Sequence, residues 1–327
     1  MQFRTFGRTD WKVSEIGFGG WQLGGTWGKV DDQNSIETLL YAFENGINFV
    51  DTAFAYGNGH SEKVIGRELN QWNSGKIYVA TKITPILNIR KSLSIEDFPS
   101  IEDCYPNWHI REIVDGSLQR LRTERLDLIQ LHLWLEDGIT NLEWLDTLKT
   151  LKKEGKIDKI GVSLADIRPE QGLELAKSGL VDSIQVLFNM FEQEPADSLF
   201  PESSKTGTAI ITRVPLDSGA LSGSWTEKTI LQWSKNDKRH SMYKGNRFKE
   251  TLNRVEKLKQ ICSPYYSTLA EAALRYSLYP KEVSVVIPGM RNKHEVDLNI
   301  AISDGNKFNE KLVELLKPYR WKHEFYN

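Results

Sequence analysis

The chain is poor in cysteine. It has two, Cys104 and Cys262, far apart in sequence. That number excludes a disulfide framework, and the spacing makes no metal site, so both are expected as free thiols in a reducing cytoplasm. Histidine is scarce too, with six, and His60, His109 and His132 form no ligand cluster, so no metal is expected. Neither sign of charge is in excess: 42 basic and 44 acidic side chains give a formal net charge of -2. That balance gives no reason to expect nucleic acid as a partner. No run approaches the roughly 18 apolar residues of a membrane span. The first residues, MQFRTFGRTD, lack the apolar core of a signal peptide. No G-x-G-x-x-G follows any early apolar run, so the usual dinucleotide fingerprint is missing. The expectation is a soluble, cytoplasmic protein.

What is present is a repeated pattern of short apolar run, turn and amphipathic stretch. Eight runs stand out, at 16–19, 47–51, 77–82, 127–132, 159–163, 183–187, 208–213 and 284–287. Most are nearly continuously apolar, as parallel strands buried on both faces are. Between them lie helical stripes: Ile36, Leu39, Leu40 and Phe43 before Gly46; Ile110, Ile113, Val114, Leu118 and Leu121; and Leu142, Leu145, Leu148 and Leu151 before Gly155. Eight alternations predict an α/β fold of the (β/α)8 TIM-barrel kind, as one domain over residues 1–327. An open doubly wound sheet is the other arrangement the pattern allows. Two connections, 83–107 and 216–249, are too long for simple turns, and such loops are usually functional.

The ends of the runs carry the chemistry. Run 47–51 ends in Asp51, run 77–82 in Lys82, and a lone Tyr56 follows the first in a loop rich in Gly and Asn. Ser61 is placed to cap the helix that follows. On parallel neighbours, the three groups meet at one end of the sheet, where barrel enzymes hold their sites. An ammonium beside a phenol lowers the phenol's pKa from its usual value of about 10. Tyr56 would then serve as a proton donor, with Lys82 tuning it and Asp51 holding Lys82. Read from the residues alone, the trio is equally a surface ion pair beside an ordinary loop aromatic. His132 closes run 127–132, either as a structural histidine or as a site residue.

NFVDTAFAYGNGHSEKVIGREL resembles the signature of the aldo-keto reductases, with Asp-Thr-Ala, then Tyr-Gly, then Ser-Glu before a Gly. The likeness extends from RTFGRTDWKVSEIGFGGWQLGG to VVIPGMRNKHEVDLNIA, nearly the whole chain. It implies a β-hairpin under the barrel, long loops on its C-terminal face, and a tail at 317–327 that lines the substrate pocket. It also implies a catalytic set of Asp51, Tyr56, Lys82 and His132, in which His132, in LDLIQLHLWLED, orients the substrate carbonyl. Trp21, Trp108 and Trp134 are candidates for an aromatic pocket wall.

The resemblance further implies a nicotinamide cofactor held by Gly20, Trp21, Asp51, Ser163, Gln185, Arg213, Leu216, Ser218, Leu221, Gly289, Arg291, Glu295 and Asn299. Ser163 and Gln185 match its carboxamide partners, although Leu164 stands where Asn is usual. Arg213 stands where a Tyr usually stacks on the nicotinamide. Leu216, Ser218 and Leu221 match a pyrophosphate loop, and Asn299 matches an adenine partner. Arg291 is placed for a 2′-phosphate, which favours NADPH over NADH; Glu295, where Gln or Arg is usual, opposes it. The basic stretch 235–247 is either a phosphate clamp or a solvated charge run. The expected activity is NADPH-dependent reduction of small-molecule aldehydes and ketones, by a monomer. The alternatives are an NADPH-binding sensor, as among potassium-channel beta subunits, and a non-redox lyase on the same barrel.

Overall fold

The computed structural model describes residues 1–25, 31–86, 100–166 and 168–322. Residues 87–99 of the first long connection and 323–327 of the tail therefore lie outside the described residues. Strands β1 (Phe3–Thr5) and β2 (Lys12–Ser14) form an antiparallel hairpin. Eight parallel strands follow: β3 (Phe18–Gly19), β4 (Phe49–Asp51), β5 (Tyr78–Ile83), β6 (Leu126–Leu131), β7 (Ile157–Ser163), β8 (Ser183–Leu187), β9 (Ala209–Arg213) and β10 (Val283–Ile287). They pair in chain order, and parallel bridges from Ile16 to Val286 and from Gly19 to Gly289 join first to last. The sheet is thus a barrel with no free edge, and the open doubly wound alternative is overturned.

Near-continuous burial explains the apolar runs. Outward side chains such as Val50, Ile129 and Ile184 pack under helices, while inward ones fill the barrel. The inward floor is Phe49, Ala80, Leu128, Ala209, Ile211 and Val285, with Phe6, Trp11 and Val13 of the hairpin region plugging it from below. Phe6 stacks on both Trp11 and Phe49, at 5.4 and 5.6 Å. Two residues further up each strand, the period-2 rule turns Asp51, Lys82, Gln130, Gln185 and Arg213 inward as the next layer. The lower floor is greasy and the upper layer polar, so the site is confined to one mouth.

The predicted helical stripes lie on helices Asp32–Glu44, Asn107–Leu121 and Glu143–Lys153. Gly46 and Gly155 end two of them at positive φ, as expected. Ser61 is a correction. The helix His60–Leu69 begins one residue earlier, after a left-handed Gly59, and Ser61 does not cap it. The connection 216–249 is ordered around an aromatic cluster of Trp225, Trp233, Tyr243 and Phe248 rather than being a bare loop. Its Arg239 pairs with Asp237, largely out of solvent, and lies over the Trp233 ring.

Candidate active site

Lys82 is fully buried at the top of β5, and its surroundings account for its protons. Its Nζ donates to the two oxygens of Asp51 at 2.7 and 2.8 Å, to the Thr52 carbonyl at 2.7 Å and to the Tyr56 hydroxyl at 3.2 Å. An ammonium has three N–H donors, so the two Asp51 contacts share one of them. The Tyr56 ring stands 4.9 Å from the same nitrogen. His132, one residue past β6, meets the Tyr56 ring edge-on at 5.9 Å, and Trp21 tilts against the same ring at 6.3 Å. The four predicted catalytic residues are therefore together at one end of three consecutive strands.

Burial pushes the Lys82 ammonium below the usual lysine range, and the Asp51 carboxylate opposes that. Tyr56 is pushed well above the usual phenol value, by burial first and then by the Asp51 charge, with Arg213 pulling the other way. This reverses the expected lowering. Burial and the Asp51 charge together favour the neutral phenol, against the field that Lys82 would exert.

Local structure aims these groups. Gly57, Asn58 and Gly59 all have left-handed φ, of 66°, 52° and 83°, and this tight turn carries Tyr56 back over the strand ends. The backbones of Gly24 and Tyr56 touch closely: a Cβ on Gly24 would lie 2.6 Å from the Tyr56 carbonyl carbon. Ser61, freed from capping, donates to the Gly20 carbonyl at 2.9 Å and bonds Thr52 at 2.8 Å. Gly20 in turn donates to the Asp51 carbonyl at 2.7 Å, so β3 and β4 are tied just where Asp51 emerges. Behind Lys82, buried Glu62 accepts from Thr81 and from Arg120, both at 2.6 Å.

The polar layer continues around the mouth. Gln185 donates through Nε2 to Asp51 at 2.7 Å, a contact the sequence did not suggest. Ser163 is buried at the end of β7, in register with Gln185. Arg213 pairs with Asp166 and donates to the Leu164 carbonyl at 3.0 Å. The Leu164 side chain is buried under Gly172, so that position offers its backbone rather than an amide side chain.

Beyond β9 the chain is strained. Val214, Asp217 and Ser218 have positive φ of 57°, 46° and 55°, unusual for any side chain and most costly for a β-branched one. Asn189 holds the Val214 carbonyl at 3.0 Å, and the Leu216 carbonyl accepts from Gly219 and Leu221 at 2.8 and 3.1 Å. Among the described residues, the buried Ser218 hydroxyl and the Gln185 side-chain oxygen have no partner. Strain and orphaned polar atoms together mark a segment shaped for a polar ligand. A cofactor rich in amide and phosphate groups fits this chemistry.

Arg291, Glu295 and Asn299 gather at helix Lys293–Ala301. Asn299 donates to the Gly289 carbonyl at 3.4 Å. Glu295 accepts from the Arg291 backbone at 2.8 Å and from its guanidinium at 2.7 Å.

One aromatic expectation fails. Trp134 is 1% exposed, packed on Trp144 with its N–H on the Gln171 carbonyl, so it is core rather than wall. Trp108 is 61% exposed at the start of its helix. The described part of the tail packs on the connection after β8, with Trp321 donating to the Phe191 carbonyl at 3.0 Å. Sequence reasoning missed Asp166, the Arg213 partner, and Gln130, a polar residue inside an apolar run. The latter was visible as a break in the pattern.

The comparisons with known proteins agree with this architecture. The sequence model of the Aldo/keto reductase family matches residues 15–318. The chain is 29% identical to the aldo-keto reductase YhdN of Bacillus subtilis (strain 168), over 91% of this chain and 87% of that one. It is 28% identical to the NADH-specific methylglyoxal reductase of Escherichia coli (strain K12), over 92% and 93% of the two. It superposes on the glycerol dehydrogenase AKR11B4 of Gluconobacter oxydans with a TM-score of 0.76 at 27% identity, covering 97% of this chain and 94% of that one. With a matched family model over nearly its whole length and the barrel that its relatives share, the chain belongs to the aldo-keto reductase family, oxidoreductases that act on carbonyl compounds with nicotinamide cofactors.

Proposed function

We propose that the chain, acting as a single domain and a cytoplasmic monomer, reduces small-molecule aldehydes and ketones with NADPH. The observation that carries this reading is one buried nitrogen: Lys82 Nζ bridges the Asp51 carboxylate and the Tyr56 hydroxyl. The bound cofactor supplies the hydride. His132 donates a hydrogen bond to the substrate oxygen and orients it beside the Tyr56 hydroxyl. Tyr56 gives its proton to that oxygen, which as an alkoxide is a stronger base than a phenolate. Lys82 then stabilises the phenolate left behind, and Asp51 keeps Lys82 charged in a site whose burial works against charge. Gln185, Ser163 and Arg213 would hold the nicotinamide end, and Leu216, Ser218 and Leu221 the pyrophosphate. Gly20, Trp21, Gly289 and Asn299 would line the rest, with Arg291 facing the 2′-phosphate.

The test is consumption of NADPH with 4-nitrobenzaldehyde and a panel of other carbonyls. Turnover supports the reductase. Tight NADPH binding without turnover on any of them would favour a sensor, and binding of neither nicotinamide cofactor would sink the proposal.

Glu295 gives the cofactor preference its own test. The carboxylate already occupies the guanidinium that a 2′-phosphate would seek. NADPH must displace it against like-charge repulsion. Glu295→Gln is expected to tighten NADPH about tenfold, equivalent to about 1.4 kcal/mol, and to leave NADH nearly unchanged. Titration of both cofactors by calorimetry decides it; equal changes for the two would remove Arg291 and Glu295 from the 2′-phosphate site.

A further inference from the structure

Beside the Asp51–Lys82 pair lies a group of polar side chains, of which the proposed chemistry uses only Gln185. Gln130 on β6 is fully buried, and neither its side-chain oxygen nor its nitrogen has a partner among the described residues. Ser183 on β8 is fully buried with its hydroxyl unpartnered. Gln185, two residues up the same strand, has its Nε2 on Asp51 and its Oε1 unpartnered. These residues are neighbours by register. Gln130 pairs with Lys82 on one side and with Gly161 on the other, and Gly161 pairs with Ser183. Gly161 is what leaves them room. A Cβ there would overlap the Ser183 hydroxyl and lie 3.0 Å from Gln130 Cγ.

An unpaired buried amide costs more than an apolar side chain of its shape, so a dry cluster of this kind would be a defect. Protein interiors satisfy such groups with ordered water where two to four polar partners converge. Four atoms are available here: both polar atoms of the Gln130 amide, the Ser183 hydroxyl and the Gln185 oxygen. An amide oxygen accepts two hydrogen bonds, so Gln185 can serve this site and a ligand at the mouth together.

We propose that the barrel interior beside Asp51 and Lys82 is a water-binding site built from Gln130, Ser183 and Gln185, and that Gln130 is through it a positioning residue for Asp51. The water fixes the Gln185 amide, whose Nε2 fixes one Asp51 oxygen, which orients Lys82 toward Tyr56. The positioning half of this rests on the proposed reductase mechanism; the water site does not.

The experiment is a crystal structure at a resolution that shows ordered water, with kinetics of Gln130→Met, Ser183→Ala and the double variant. The expected result is a water within hydrogen-bonding distance of the Gln130 amide, the Ser183 hydroxyl and Gln185 Oε1. Each single variant should lose that water and lower kcat about fivefold, the weight of one net hydrogen bond. The double variant should lose no more than either single, because all act through one water. Ser183→Ala stands alone if Gln130→Met fails to fold. A direct Gln130–Ser183 bond with no water overturns the site, and water present with unchanged kcat in the variants overturns the positioning role. Absence of turnover by the unaltered protein would instead count against the reductase reading, with the water site still decided by the structure.

Discussion

Tyr56→Phe is expected to lower kcat for carbonyl reduction by on the order of a hundredfold or more, the usual weight of a positioned general acid. The change removes one oxygen. That oxygen accepts from Lys82, while the ring keeps its contacts with His132, Trp21 and the Lys82 nitrogen. The fold and cofactor binding should therefore survive, and the measurement is kcat beside NADPH affinity for the same variant. A loss shared equally by binding would point to a collapsed pocket. A loss of less than about tenfold would take the proton-donor role from Tyr56. The same variant tests the electrostatics. Burial and the Asp51 charge raise the Tyr56 pKa, so the free protein should keep this phenol protonated past the ordinary value of about 10. The sign is that of a group whose acid form the fold favours: protonated at neutral pH, lost only as pH rises through the raised value. The difference in tyrosinate absorbance between the unaltered protein and Tyr56→Phe should show no step below that pH. A step near neutrality would mean that Lys82 outweighs Asp51 after all.

Much of this site was legible because the reacting groups end apolar runs. A carboxylate and an amine at the close of two buried strands have few places to go other than the barrel mouth. The barrel itself follows from eight such runs, since parallel strands need crossovers and a buried sheet needs both faces covered. What was not legible depends on where a side chain turns after its strand ends. Trp134 comes only two residues after His132 in the same strand exit, yet it folds back on Trp144 while His132 faces Tyr56. Ser61 has the residue type of a cap, but a left-handed Gly59 starts the helix first, and the hydroxyl is drawn to Gly20 and Thr52. The Arg213–Asp166 pair joins residues 47 apart, a contact that no local pattern encodes. Gln130 carried a signal that went unread: a polar residue in a strand buried on both faces breaks the local rule, and such breaks concentrate at functional sites.

Lys82→Met is expected to be the most destabilising substitution at the site. It leaves the Asp51 carboxylate buried, with Gln185 as its remaining side-chain donor among the contacts described above. Breaking a buried ion pair by removing one partner costs about 3–5 kcal/mol. In a chain of this size that is a fall in Tm on the order of 10 °C. Catalysis should fall as well, since no cation then stabilises a Tyr56 phenolate. A loss of stability alone could reflect lost packing, because Lys82 is fully buried. The double variant Asp51→Asn with Lys82→Met separates the two causes. It has no buried charge to strand, and Met fills most of the lysine's volume. The double variant should therefore be more stable than Lys82→Met alone, although it carries one more substitution. Thermal unfolding of the unaltered protein, Asp51→Asn, Lys82→Met and the double variant at one pH and ionic strength is the measurement. Losses that simply add would mean that Asp51 and Lys82 act independently. The pair would then be a pair in geometry only, and the proposal that Asp51 keeps Lys82 charged for Tyr56 would lose its physical basis.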